Sequence, residues 1–272
     1  MSRLCRRRRP RSFGMALASA IAAIVLLPST PAGAWDSDSW MNPTRPTHTL
    51  MTRWAVDRLQ EAHPEVGTFR AQLIEGSNVE IHELPIECER YGVDMNVARE
   101  TRYVGTNAGC EHPELIWEDS LKAHREGNDE LAFFLLGVLL HQIQDMGVPS
   151  HAHNIYHQGN ATEFDNFEFM ALWNWGPDFE NIGKENPGLD DPSGYYGFSK
   201  TWTLEDAPNY AGRDGFSKTW TFASREERAL LRLRQGSCCY LTKWTIESAL
   251  DAFAQGCEGE AEGDDEGDDE PE

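Results

Sequence analysis

The apolar segment Leu131–Leu140 constrains the fold of this chain more than any other feature of its sequence. It reads Leu-Ala-Phe-Phe-Leu-Leu-Gly-Val-Leu-Leu, which is apolar on nearly every face of a helix. A helix of this kind is stable when other elements cover it on all sides. Asn128 is a favourable N-terminal capping residue, and Pro149 prevents the helix from continuing. The sequence therefore predicts a central buried helix over 128–146.

Further helices are predicted on both sides of this segment, and strand patterns are scarce. Apolar residues recur at helical spacing, with polar residues between them, in the first of these helices. A proline at the first helical position indicates where the second begins. We therefore expect an all-α fold, a single mainly helical domain with long loops over residues 35–257. The predicted helices are His48–Ala62, Pro113–Arg125, Thr162–Trp175 and Ser224–Ala254.

The first 34 residues have the pattern of a secretory signal peptide. Arginines at positions 6 to 9 form a cationic start, and an apolar run from Met15 to Leu27 follows. Ala32-Gly33-Ala34 then supplies the small-residue pattern after which signal peptidase cuts. Cleavage after Ala34 makes Trp35 the first residue of the mature chain. We therefore expect a secreted or periplasmic protein.

The charge of the chain excludes simple electrostatic attraction to nucleic acid. The formal net charge is −21, and the expected signal peptide contains six arginines and no acidic residue, so the mature chain is more acidic still. Such a surface does not attract phosphate backbones or anionic lipid. The tail 258–272 is rich in Gly, Asp and Glu and is predicted to be disordered. We expect no stable complex with nucleic acid.

Two other features of the sequence suggest loops and disulfides. Gly-Phe-Ser-Lys-Thr-Trp-Thr occurs twice, at 197–203 and at 215–221, which we interpret as a local duplication in a surface loop. Five cysteines remain after the expected cleavage. In an oxidising compartment Cys88 is expected to pair with Cys110, and Cys257 with Cys238 or Cys239.

The end of the apolar helix carries the residues that point to chemistry. His141 and Asp145 are four positions apart and so share one helix face. A carboxylate without a partner in that apolar setting costs several kcal/mol. His151 follows the helix, and four of the nine histidines fall between positions 141 and 157. This density favours a metal site over a structural His–Asp hydrogen bond, which is the alternative.

The types of these residues indicate what such a metal would do. Imidazole and carboxylate ligands without thiolates are typical of catalytic zinc, which keeps one position open for water. The metal lowers the pKa of that water and creates a nucleophile. The sequence lacks a Gly-x-Ser-x-Gly elbow, a Walker-type loop and a Gly-x-Gly-x-x-Gly fingerprint. A metal-dependent hydrolase is therefore the predicted class.

The segment from Leu131 to His151, ending in His-Gln-Ile-Gln-Asp-Met-Gly-Val-Pro-Ser-His, resembles the central motif of the bacterial zinc-dependent phospholipase C family. That family shares a superfamily with the fungal single-strand-specific nucleases. The resemblance covers Trp35 to about Trp175, and less clearly the last helix. It implies that the new N-terminal residue is a metal ligand, that a histidine on the first helix is another, and that the aspartate of the motif bridges two metals. The implied ligands are Trp35, His48, His141, Asp145 and His151.

The resemblance implies further site residues at positions that match less closely. A histidine before the second helix is expected as a ligand, and we choose His112 over His82. Glu80 or Glu83 matches the family carboxylate that acts as base, and we choose Glu80. Asp165 matches the acid of a last metal site, but Ala161 stands where the family has a histidine. His157 or His153 is the candidate to replace it, and we choose His157.

The resemblance also implies an activity. We expect two or three Zn²⁺ ions, a phospholipid or other phosphodiester as substrate, transient contact with a membrane surface, and a monomer. One alternative is a single-strand nuclease of the same superfamily. The other is a secreted metal-binding protein that has lost catalysis.

Overall fold

The computed structural model describes residues 47–79, 112–153, 167, 171, 175, 186–189, 191–207 and 223–258. Within these residues the chain is mainly helical and contains no strand, which confirms the all-α prediction. None of the described helices is both long enough and apolar enough to cross a membrane.

Eight helices are described in this part of the chain. The helices predicted at His48–Ala62, Pro113–Arg125 and Ser224–Ala254 appear with bounds close to those expected, and so does the central apolar helix. The predicted helix Thr162–Trp175 lies mostly outside the described residues. The short helices between them had no clear pattern in the sequence. In chain order the helices are α1 Thr47–Leu59, α2 Pro64–Thr68, α3 Arg70–Gly76, α4 Pro113–Arg125, α5 Asp129–Asp145, α6 Pro149–Ala152, α7 Gly194–Asp206 and α8 Arg225–Glu258.

Helix α5 is the centre of the domain, as its sequence predicts. Every residue from Leu135 to Asp145 is buried. Asn128 is the N-cap, and its side chain accepts a hydrogen bond from the backbone N–H of Leu131. Helices α3, α4 and α8 pack against α5, with α1 and α7 completing its surroundings. The burial that the apolar sequence requires is therefore supplied from several sides.

The crossing of α3 and α5 depends on two facing glycines. A Cβ at Gly76 would lie 2.1 Å from the carbonyl oxygen of Phe134, and one at Gly137 would lie 2.6 Å from that of Leu73. Both distances are shorter than any side chain tolerates, so only glycine allows the two backbones to approach this closely. Ser77, which follows Gly76, is thereby brought beside the last turns of α5.

Two sequence interpretations are corrected by the structure. The first copy of the duplicated heptapeptide, 197–203, lies inside α7 and not in a surface loop. Tyr195, Ser199 and Thr203, spaced four apart, are buried on one face of that helix. Packing of this face thus outweighs the weak helical preference of its threonines and aromatic residues. The second copy, 215–221, lies outside the described residues.

The expected pairing of Cys257 with Cys238 or Cys239 is wrong. Cys238 and Cys239 are buried and free. All three positions belong to the same uninterrupted helix, α8. At a rise of 1.5 Å per residue they are separated by roughly 27 Å of helix, whereas a disulfide needs Cα atoms less than about 7 Å apart. The other expected pair, Cys88 and Cys110, lies outside the described residues.

Candidate metal centre

Three of the predicted ligands meet in the interior of the domain. His48 is the second residue of α1, and His141 and Asp145 occupy the last turns of α5. All three side chains are fully buried. Each offers one ligand atom, and these atoms lie within 4.8 Å of one another. Residues far apart in sequence therefore form a compact group of two imidazoles and one carboxylate.

Two distances within this group are close to the spacing of neighbouring zinc ligands, each to a different oxygen of Asp145. Nε2 of His48 lies 3.4 Å from Oδ1 of Asp145, and Nε2 of His141 lies 3.2 Å from Oδ2. Ligand atoms at the usual zinc bond lengths are separated by about 3.3 Å in a tetrahedron. The two imidazole rings are stacked, with centroids 4.2 Å apart. The group thus has suitable spacing for a cation of this size.

A backbone carbonyl fixes the orientation of His141. Its Nδ1 lies 3.1 Å from the carbonyl oxygen of Ser77. A carbonyl oxygen only accepts hydrogen bonds, so Nδ1 carries a proton and donates it. In the neutral imidazole Nε2 is then the lone-pair nitrogen, and it is Nε2 that faces Asp145. The close crossing of α3 and α5 places the carbonyl oxygen of Ser77 where it can accept this hydrogen bond.

A chain of hydrogen bonds fixes His48 in the same way. Thr242 of α8 donates to the carbonyl oxygen of Cys238 over 2.7 Å, so its oxygen is available as an acceptor for Gln144. The Gln144 amide nitrogen donates to Thr242 over 2.9 Å and to Thr52 over 3.3 Å. The amide oxygen is therefore the atom that accepts from Nδ1 of His48, at 2.6 Å. This again leaves Nε2 of His48 to face Asp145.

When both imidazoles are neutral, two lone pairs point at one carboxylate, an arrangement that needs a positive charge between them. Neither carboxylate oxygen of Asp145 has a hydrogen bond of standard geometry from the described residues, although both imidazoles lie close enough to stabilise its charge. A proton on each Nε2 is one way to supply the charge. Burial, followed by repulsion from a protonated His141, lowers the pKa of His48 below its ordinary value, so protons on both Nε2 atoms at once are disfavoured. A metal cation satisfies all three groups at once.

The electrostatics of Asp145 are consistent with an ionised ligand. Burial alone raises the pKa of this carboxyl, but positive charge on His141 and His151 outweighs burial and holds the pKa well below its usual range. The carboxylate also lies in the last turn of α5, where the negative end of the helix dipole disfavours an anion. A cation at this point is favoured by the helix end and by the carboxylate together.

The other predicted ligands within the described residues are placed differently. His151 lies on α6, is 4 % exposed, and is close enough to Asp145 to lower its pKa. His112 lies at the N-terminus of α4 with its side chain half exposed, where Nδ1 is 3.0 Å from Glu114. The structure does not bring His112 into the buried group. His153 places Nε2 2.9 Å from the carbonyl oxygen of Ala207, so this nitrogen is directed towards α7.

The remaining predicted site residues lie outside the described part of the chain. This applies to the two acids proposed as base, to the N-terminal ligand and to the residues of the last metal site. They are Trp35, Glu80, His82, Glu83, His157, Ala161 and Asp165.

The sequence interpretation missed the residues that orient the two histidines. Gln142 and Gln144 lie between His141 and Asp145, directly after ten apolar residues, and two glutamines in this buried position were the signal that could have identified Gln144. A buried glutamine needs partners for both its oxygen and its nitrogen. Ser77 acts through its backbone carbonyl oxygen, and Thr242 is far from the histidines in sequence. No local sequence pattern therefore indicates that either residue helps to orient a histidine.

The chain was also compared with known proteins. No protein-family model matches it, and a search of the curated proteins finds no match.

Proposed function

We propose that this chain is a secreted zinc-dependent phosphodiester hydrolase of the phospholipase C type. The observation that carries the proposal is the buried group of His48, His141 and Asp145, in which two lone-pair nitrogens are directed at one carboxylate. The resemblance of the segment 131–151 to the central motif of the zinc-dependent phospholipases supplies the substrate class. The predicted signal peptide supplies the location.

The residues of the centre are suited to holding more than one ion. The two oxygens of Asp145 face different imidazoles, Oδ1 towards His48 and Oδ2 towards His141. A carboxylate in this position can bridge two cations, and His151 lies near enough to contribute to a second. Two or three zinc ions are therefore proposed, with Trp35 and Asp165 among the remaining ligands.

Each described residue has a task in such a centre. Zinc in this ligand set supplies a Lewis acid and lowers the pKa of a coordinated water towards neutrality. His48, His141 and Asp145 hold the ion. Ser77 and Gln144 keep Nε2 of each histidine free of a proton and directed inward. The apolar residues of α5 exclude bulk water, which strengthens every charge interaction in the centre.

The proposed substrate is a phospholipid rather than a nucleic acid. A formal net charge of −21 works against the approach of a long polyanion, while a single phosphodiester next to a cationic or neutral headgroup meets much less repulsion. A single-strand nuclease of the same superfamily is the alternative that an assay must distinguish.

The proposal is tested by measuring metal content and hydrolysis in the same preparations. The exported protein should retain zinc after dialysis and should hydrolyse phosphatidylcholine and a nitrophenyl phosphodiester, with little action on single-stranded DNA. His141→Ala should lose both the zinc and the hydrolysis. His63→Ala provides the control, because His63 is partly exposed and interacts only at the surface with Glu65.

Each result has a separate meaning. Absence of zinc in the wild-type protein, together with no hydrolysis when zinc is added, would exclude the enzyme. Zinc without hydrolysis of any of the three substrates would leave a metal-binding protein and refute the phosphodiesterase. Preference for single-stranded DNA would refute the phospholipase and support the single-strand nuclease.

A further inference from the structure

Arg234 is a fully buried arginine on which two of the three guanidinium nitrogens are unused among the described residues. It lies on α8, and its side chain has no exposed surface. Nη1 donates to Oδ2 of Asp206 over 2.6 Å. Among the described residues, Nε and Nη2 have no hydrogen-bond partner of standard geometry. A buried donor left without an acceptor is destabilising, so the arrangement calls for a ligand.

The two unused nitrogens form one edge of the guanidinium group. An arginine side chain presents Nε and Nη2 side by side, as a planar fork that matches two oxygens of a carboxylate or phosphate. The opposite nitrogen, Nη1, is committed to Asp206, and Trp202 covers a face of the guanidinium, with Cζ 5.3 Å from the ring centroid. The surroundings therefore hold the guanidinium in place and leave its bidentate edge available.

This edge belongs to the same region of the domain as the metal centre. Cys238 follows Arg234 by one helical turn, and its thiol contacts the backbone carbonyl oxygen of Gln144 at 3.7 Å. Arg234 and Asp145 both influence the Cys238 thiol, with opposite effects on its pKa. On the other side, Asp206 precedes Ala207, whose carbonyl oxygen contacts His153, two residues after His151. Arg234 is thus connected to the ligands through both α5 and α6.

We propose that the Nε–Nη2 edge of Arg234 binds a phosphate oxyanion, and that Arg234 is the residue that holds the phosphoryl group of the substrate. The proposal deepens the phosphodiesterase function and rests on it for the identity of the substrate. Asp206 alone balances the charge of Arg234, so an added anion needs further positive charge nearby. Cations held by His48, His141 and Asp145 provide it, because a bound metal inverts the local charge.

Asp206 is 21 % exposed, and Trp202 is half-buried. Both belong to α7, so the guanidinium lies beneath a helix that is partly exposed. The proposal requires that side chains around the guanidinium move to admit the anion.

Inorganic phosphate is the probe for this site. Its binding to the full-length protein is measured by calorimetry in the zinc-loaded and in the metal-stripped state. Arg234→Lys keeps the charge that pairs with Asp206 but removes the bidentate edge, and it should weaken phosphate binding at least tenfold without changing zinc content. Arg58→Lys is the matched control, since Arg58 also stacks on a tryptophan, Trp54, but on the exposed surface.

A second measurement needs no variant and is independent of folding defects. In ¹⁵N-labelled wild-type protein the Nε–H signal of Arg234 should shift on addition of phosphate, while that of Arg58 should not. Equal phosphate affinity in wild-type and Arg234→Lys protein, or an unchanged Nε–H signal, would overturn the proposal. If the wild-type protein binds no zinc but Arg234 still responds to phosphate, the phosphate site stands and the proposed metal-dependent function fails.

Discussion

A histidine lies close to an aspartate at each end of helix α5. Only the pair at the C-terminal end has the properties of a metal site. At the N-terminal end, Asp129 accepts a hydrogen bond from Nδ1 of His124 over 2.7 Å. Both side chains are partly exposed, at 41 % and 21 %, and the His124 ring stacks on Phe253. At the C-terminal end, Asp145 is fully buried and accepts no hydrogen bond of standard geometry from the described residues.

The helix dipole has opposite effects on the two aspartates. The N-terminal end of a helix has a partial positive charge, so the carboxylate of Asp129 is stabilised where it stands. The C-terminal end has a partial negative charge, so the carboxylate of Asp145 is destabilised unless a cation is present. Asp129 is therefore satisfied by one ordinary hydrogen bond, whereas Asp145 is not satisfied by two histidines.

The orientation of the rings separates the two ends further. His124 directs a protonated nitrogen at its aspartate. Ser77 and Gln144 bind the protonated nitrogens of His141 and His48, so both direct the other nitrogen at Asp145. A histidine next to an aspartate is therefore not enough to form a metal site. The site also needs burial, a position at the C-terminal end of the helix, and a partner that binds Nδ1 of each histidine.

The largest expected difference in zinc affinity separates two variants, each of which removes one negative charge from one end of α5. Asp145→Asn should lower zinc affinity at least 100-fold, about 3 kcal/mol, because it removes the one anionic ligand among the three described. Asp129→Asn should leave zinc affinity unchanged. Zinc binding to the two variants is measured by competition with a chelating dye.

Both outcomes of this pair are informative. Retention of zinc by Asp145→Asn at wild-type affinity would show that the C-terminal end of α5 is only a structural His–Asp cluster. A comparable loss in Asp129→Asn would show that the two ends do not differ in the way that their geometry indicates.

A smaller effect is expected from the residues that orient His48. Gln144→Met removes the acceptor for Nδ1, which lets the imidazole rotate or change tautomer. Loss of such an outer partner of a metal ligand lowers metal affinity by about 10- to 100-fold. Zinc affinity is measured with the same dye, and an unchanged value would mean that the Gln144 contact has no part in metal binding.

Two threonines of α8 offer a matched control for the same network. Thr242 and Thr245 are both buried, and each donates to the carbonyl oxygen four residues earlier, over 2.7 and 2.8 Å. Only Thr242 also accepts from Gln144. Thr242→Val should therefore weaken zinc binding by up to about 10-fold, whereas Thr245→Val should not weaken it. Equal effects would assign the loss to packing of α8.

Some of this arrangement is predictable from sequence because it depends on local pattern. The continuous apolar run predicts the buried α5, and the spacing of His141 and Asp145 places both on one face of its last turns. The proline at position 113 indicates the start of α4. Each of these features depends on residues a few positions apart, which periodicity and capping preferences describe well.

The rest depends on contacts between distant parts of the chain. Nothing local to Ser77 indicates that its carbonyl oxygen contacts His141, since that contact needs the crossing of Gly76 and Gly137. His112 has a sequence context as suitable for a ligand as that of His48, yet it lies on the surface beside Glu114. The buried face of α7 was interpreted as a loop because its packing partners are elsewhere in the chain.

The smallest expected effect is on the pH dependence of stability, and it distinguishes the buried histidine from the exposed ones. Burial lowers the pKa of His48 below the ordinary value of 6.5, so the unfolded chain binds a proton at His48 before the folded chain does. The contribution of His48 is therefore constant above about pH 6.5 and declines as the pH falls below it, by at most about 1.4 kcal/mol per pH unit. Asp145 has a lowered pKa, so its contribution is lost only in stronger acid, well below this range.

The measurement is urea unfolding of metal-stripped protein at pH 7.5, 6.5 and 5.5, with His48→Asn as the comparison. Asparagine keeps a donor near the position of Nδ1 but cannot be protonated. Between pH 6.5 and 5.5 the wild-type protein should lose up to about 1 kcal/mol more stability than His48→Asn, whose other histidines are the same. Parallel pH profiles would show that His48 is not held in its neutral form, and the lone pair assigned to its Nε2 would then have to be withdrawn.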